Sequence, residues 1–93
     1  MDGTLEAGRA ALQAGNTFAA IRSAKQVLQE DPQDTEAMDL LCSAHMAEDD
    51  YMSAQQVVSS WLRIDPNDPS AHFAQIALQI SLCLLYTSDA ADD

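Results

Sequence analysis

Two Asp-Pro pairs, Asp31-Pro32 and Asp65-Pro66, stand 34 residues apart, and each is followed by a short polar turn and a new alanine-rich stretch. Proline has no backbone N–H and its ring clashes with the preceding helical turn, so each pair must close whatever helix comes before it. The same offset relates Ala20 to Ala54, Leu28 to Leu62, Ala37 to Ala71, and the Gly15-Asn16 break to Asp49-Asp50. A chance dipeptide would not carry the flanking segments with it, so the chain is organised as a repeat.

Within each unit the apolar spacing is helical. Leu5, Gly8, Ala11 and Leu12 form one stripe, and Phe18, Ile21, Ala24, Val27 and Leu28 form the next, beyond Gly15-Asn16. The second unit repeats the arrangement with Met38, Leu41, Cys42, His45 and Met46, then Ala54, Val57, Val58, Trp61 and Leu62. Asp34 and Asp68 suit N-cap positions and Pro69 suits a first helical position. The pattern predicts helices near 4–14, 17–30, 35–48, 51–63 and from 69 onward, an all-α chain of tandem antiparallel helix-turn-helix repeats. Trp61, on the stripe of Ala54, Val57 and Val58, is expected to anchor the second unit to the third.

These residues resemble the tetratricopeptide repeat, whose pattern runs W-x2-L-G-x2-Y, then A-x3-F, then a closing Pro. The second unit reads Met38-x2-Leu41-Cys42-x2-His45, then Ala54-x3-Val58-x2-Trp61-x4-Pro66. The first reads Thr4-x2-Ala7-Gly8-x2-Ala11, then Ala20-x3-Ala24-x2-Val27-x4-Pro32. Smaller groups replace the large aromatics, so period, small residues and prolines carry the match. In the third unit, Gln75-Ile76 stands where Leu-Gly is expected. The resemblance implies a right-handed α-solenoid of about two and a half repeats: residues 1–34, 35–68, and the first helix of a third unit over 69–82.

Composition narrows the function. The chain has 93 residues with 47% hydrophobic and 5% aromatic residues, which suits thin, closely packed helical layers. A formal charge of -11 repels a phosphate backbone and an anionic bilayer, so neither nucleic acid nor a membrane is an expected partner. No apolar run reaches the ~18 residues of a membrane span, and the start lacks the basic and apolar regions of a signal peptide, so a reducing, cytoplasmic setting is expected. The two cysteines lack C-x-x-C spacing, which gives no case for a disulfide framework or zinc site.

Candidate catalytic chemistry does not assemble. His45 and His72 occupy positions where the repeat places packing side chains, and neither has the further donors a metal site needs. Cys42 stands where two helices must approach closely, which predicts a buried, inert thiol. Ser59-Ser60 and Glu48-Asp49-Asp50 have no partner spacing for nucleophilic, glycosidase or calcium chemistry. No enzyme activity, cofactor or metal is expected. Instead, the resemblance implies an interaction scaffold, expected within a bacterial multidomain protein, that holds a peptide or protein partner in a concave groove. By the same resemblance, Leu5, Arg9 and Gln13 line that groove from the first unit, with Asp39, Ser43 and Met46 from the second. The lysine and asparagine set that clamps a terminal carboxylate in chaperone-binding members is missing, since Leu5 and Asp39 hold its leading places. A short, partly apolar peptide fits these residues better. Two alternatives are a regulatory arm of a larger enzyme and a self-assembly module.

The last eleven residues, Cys83 to Asp93, resemble the translation of a transposase-based sequencing adapter, with ten specified codons in order. On that reading the segment 83–93 is a non-native tail on a fragment from mixed DNA, cut within its third unit. Without Asp89, Asp92 and Asp93 the remainder still carries about -8, from -11 plus three. The tail is expected to prolong the fifth helix as far as Thr87-Ser88 and then fray, exposing an apolar strip open to self-association.

Overall fold

The computed structural model describes the backbone of residues 3–92 and the side-chain surroundings of residues 4–84. Five helices follow one another: α1 (Gly3–Gln13), α2 (Thr17–Glu30), α3 (Thr35–Ala47), α4 (Tyr51–Ile64) and α5 (Pro69–Asp92). Each of the first four expected helices ends within a residue of its expected position.

The turns repeat as faithfully as the helices. Gly15 at φ 88° and Asp49 at φ 62° take the left-handed conformation that lets the chain reverse after α1 and α3. Asn16 then caps α2 through Ala19 N–H, and Asp50 caps α4 through Ser53 N–H. At the longer turns, Asp31 accepts from Gln33 N–H and Asp65 from Asn67 N–H. Asp34 accepts from the N–H groups of Glu36 and Ala37 at the start of α3, and Asp68 accepts from Ser70 N–H at the start of α5. A polar side chain at each turn thus satisfies helix-end donors that packing alone would leave unpaired.

Each helix packs on the next in sequence, and α3 additionally touches α1 and α5. Among the described residues the backbones of α2 and α4 do not approach closely, so the odd-numbered helices converge on one side of an array measuring 50 × 30 × 18 Å. The core is small and mostly alanine-lined. Ala20, Ala24, Leu40, Leu41 and Ala44 join the first pair to the second. Cys42, Ala54, Val58 and Leu78 join α3, α4 and α5, beside a third cluster of Met38, Trp61 and Ala71. Alanine here sets helix separation: Ala20, Ala24, Ala37, Ala44, Ala54 and Ala71 are all fully buried.

The third unit keeps the repeat register despite Gln75-Ile76. Ala71 and Leu78 are buried at the positions that Ala37 and Ala44 hold in α3. Ile76 takes the place of Cys42 but is 56% exposed, because Cys42 faces the second helix of its own pair and the described chain holds no helix to cover Ile76. Ile80 and Leu84 lie exposed along the same side, whereas the side chains of Leu85 and Tyr86 fall outside the described residues. The helical backbone does not stop at Thr87-Ser88 as expected. It continues to Asp92, since propagation needs only one further bond per residue and Ala90-Ala91 are good helix formers.

Candidate functional site

The side on which α1, α3 and α5 converge holds the most organised cleft. A cavity of about 420 Å³ opens between α3 and α5, with Asp39, Ser43 and Met46 on one wall and Phe73, Ala74 and Ala77 on the other. Helical spacing explains the first wall: positions 39, 43 and 46 are four and three residues apart and share one stripe. The second wall follows from the repeat, because Phe73 and Ala77 stand at the 34-residue offset from Asp39 and Ser43. The expectation from sequence stopped before these two residues, since the third unit departs from pattern at Gln75-Ile76. Continuing the offset past that departure would have found them.

The side chains differ in burial. Ser43 and Met46 are half-buried, with Met46 packed on the Cys42–Val58 cluster. Asp39 lies exposed on the lip and Phe73 is 74% exposed, presenting a ring to solvent. The protein around Asp39 strips enough water from its carboxyl to raise its pKa; Arg9 on α1 pulls the other way, and Asp68 and Glu36 add to the rise. Cys42, at the cleft floor, has its thiol pushed up to about 11, first by burial and then by the Asp39 charge. It is therefore a protonated packing group at neutral pH, as its position in the repeat implied.

The other expected groove residues are placed differently. Arg9 is exposed and close enough to act on Asp39 electrostatically, so it joins the same side. Gln13 is exposed at the last turn of α1 and lines none of the described cavities around the α3/α5 cleft. Leu5 packs against the first core cluster and borders a separate cavity of about 350 Å³ with Val27 and Asp34.

Two tight features hold the cleft walls in register. Trp61 is 2% exposed, and its indole Nε1 donates to Asp68 Oδ2 at 2.9 Å, while the other Asp68 oxygen caps α5. One carboxylate therefore ties the last turn of α4 to the first turn of α5. On the far side, Gly8 lets α1 approach: a Cβ there would lie 2.6 Å from Leu40 Cδ2 and 2.8 Å from Ser23 Cβ.

The histidines divide. His45 is half-buried, with Nδ1 3.8 Å from Asp50 Oδ2 and without a hydrogen-bond partner among the described residues. His72, expected to pack, is instead exposed and its Nε2 bonds the Pro66 carbonyl. The reason is positional: Met38, its equivalent in α3, is buried between α2 and α4, and α5 has such a neighbour on one side only. No group of three His, Cys, Asp or Glu residues lies at metal-binding distance among the described residues, and no described helix is long and apolar enough to cross a membrane.

Comparison with known families decides what this architecture is, because the family model of the tetratricopeptide repeat matches residues 11–78. The chain belongs to the tetratricopeptide repeat family. Neither the curated proteins nor the solved structures yield a match. Tetratricopeptide repeats generally serve as protein-interaction scaffolds rather than enzymes. In this tetratricopeptide array the match spans the last turn of α1 through the buried Leu78 of α5, and so includes both walls of the cleft.

Proposed function

We propose that this chain is a scaffold fragment that binds a short peptide segment of a partner protein along the side where α1, α3 and α5 converge. Residues 1–34 and 35–68 act as full units, 69–82 supply one helix of a third, and 83–93 are a non-native tail outside the working surface. The observation that supports this reading is the convergence of Asp39, Ser43 and Met46 with Phe73 and Ala77 on one open cleft. An extended or helical peptide can lay alternate side chains into such a groove, with apolar contacts supplying affinity and the polar lip fixing orientation. Arg9, exposed beside Asp39, extends the same surface toward the first unit.

The test is a peptide selected against the chain from a display library. Met46→Glu and Ala77→Phe, which put a charge or a ring into the cleft, weaken its binding while the far-ultraviolet circular dichroism stays helical. Undiminished binding in both variants, together with loss of binding on substitution of Gln56 or Ser60 in the groove between α2 and α4, refutes the assignment.

A further inference from the structure

The chain carries four cations, Arg9, Arg22, Lys25 and Arg63, and their distribution is uneven. Arg22 and Lys25 lie on α2 and Arg63 on α4, whereas α3 carries none and α5 none. Around the α3/α5 cleft the electrostatic neighbours of Asp39 are two carboxylates, Glu36 and Asp68, and the single guanidinium of Arg9 on α1. Asp39 makes no salt bridge within 4 Å among the described residues. It therefore stands on the lip of a mainly apolar cleft as a carboxylate with an incomplete set of counter-charges. The floor and far wall, Met46, Cys42, Phe73, Ala74 and Ala77, offer no cation either.

A partner segment that fits must satisfy both parts of this surface. Its apolar side chain enters between Met46 and Phe73, where a thioether and a ring provide adaptable, polarisable contact. Its charge must be positive, because an acidic neighbour would face Asp39, Glu36 and Asp68 together, and like charges set against one another are strongly disfavoured. Phe73 adds a ring face on which a cation can rest. Net charge acts in the same direction at long range, since an array at -11 draws cationic segments toward it and repels anionic ones.

Resting on the peptide-binding reading above, we infer that the α3/α5 cleft selects a partner segment in which a large apolar residue is flanked by lysine or arginine. Asp39 is the selectivity residue, while Met46, Phe73 and Ala77 form the pocket. A second copy docking through the same α3/α5 face does not meet the requirement, because α3 and α5 bring no lysine or arginine of their own.

The experiment uses the full chain and three dye-labelled, terminally blocked heptapeptides: one with central Leu-Leu flanked by lysines, one with glutamates in place of the lysines, and one with the lysines kept and the leucines changed to serine. Fluorescence anisotropy is expected to show the lysine-flanked apolar peptide binding about tenfold more tightly than either of the others, with the advantage shrinking as salt rises. Asp39→Asn reduces the preference for lysine over glutamate, and Asp39→Lys reverses it; the site is exposed, so both variants keep the helical spectrum. Ala77→Phe fills the pocket and removes binding of the leucine peptide, and Ser43→Phe does the same from the opposite wall should the first variant lose helicity. Equal affinity for lysine- and glutamate-flanked peptides, binding indifferent to Asp39→Lys, or no binding by any of the three overturns the inference. A library-selected peptide that still needs Met46 and Ala77 but is acidic overturns the charge selectivity alone and leaves the peptide-binding reading standing.

Discussion

The two complete repeat units share turns, caps and helix spacing, yet they solve the same packing problem with different side chains. In the second unit the indole of Trp61 fills the space beside the α5 cap and bonds Asp68. In the first, Val27 stands at the equivalent position and Asp34 at the equivalent cap, and a cavity of about 350 Å³ remains between them, bordered by Leu5. The α1 interface is different again. Gly8 lies against Leu40, whereas at the same offset Cys42 packs in a cluster bordered by Ala74. Volume removed on one helix is thus returned on its neighbour. The repeat fixes the distance between helices, and each interface distributes the atoms that fill it in its own way. The cleft opens at the interface whose walls are tied by the indole and the Asp68 carboxylate.

The largest expected effect comes from removing that tie. Trp61→Ala leaves a cavity in a fully buried site and an unpaired Asp68 oxygen, and is expected to cost about 3–5 kcal/mol in denaturant melting; a loss under about 1 kcal/mol would place the indole outside the stabilising core. Next, the two capping aspartates should separate. Asp34→Ala removes a cap alone, about 1 kcal/mol, while Asp68→Ala also strips the indole N–H of its acceptor and should cost about 2–3 kcal/mol. Equal losses at the two positions would mean that the Trp61–Asp68 bond contributes nothing.

Smaller effects probe the exchanged volumes. Gly8→Ala gains about 1 kcal/mol of helix propensity but drives a methyl into Leu40 and Ser23, so a net loss of about 1–2 kcal/mol is expected. Adding Leu40→Val should recover part of it, making the double variant more stable than the sum of the singles; simple additivity would show that the two side chains do not compete for space. The smallest change is a gain. Val27→Trp should fill the first unit's cavity and offer its N–H to Asp34, raising stability by about 1 kcal/mol. A loss of stability there would show that the first unit cannot accept the second unit's anchor.

Most of the fold was legible because its signals are local. Prolines, alternating helical stripes, and Asp, Asn and Gly at turns act within a few residues, so helix positions, the Asp34 and Asp68 caps and the burial of Trp61 and Cys42 all follow from spacing. What the sequence hid depends on neighbours. His72 resembles Met38 by position and is exposed because α5 is covered on one side only. The exchange of Gly8 and Leu40 against Cys42 and Ala74 is invisible until three helices are brought together. Of the expected groove residues, Asp39, Ser43 and Met46 line one cleft and Arg9 neighbours it, while Leu5 turns toward Val27. A face assignment taken from a family pattern cannot anticipate which cleft a missing aromatic leaves open.

The most direct test of the account is a two-dimensional amide NMR titration of the full chain with the lysine-flanked leucine peptide. The account predicts the largest shift changes at Asp39, Ser43, Met46, Ala74 and Ala77, with Arg9 affected more weakly and Gln56 and Ser60, in the groove between α2 and α4, unchanged. Shifts concentrated at Lys25, Gln56 and Ser60, with the α3/α5 cleft silent, would contradict it.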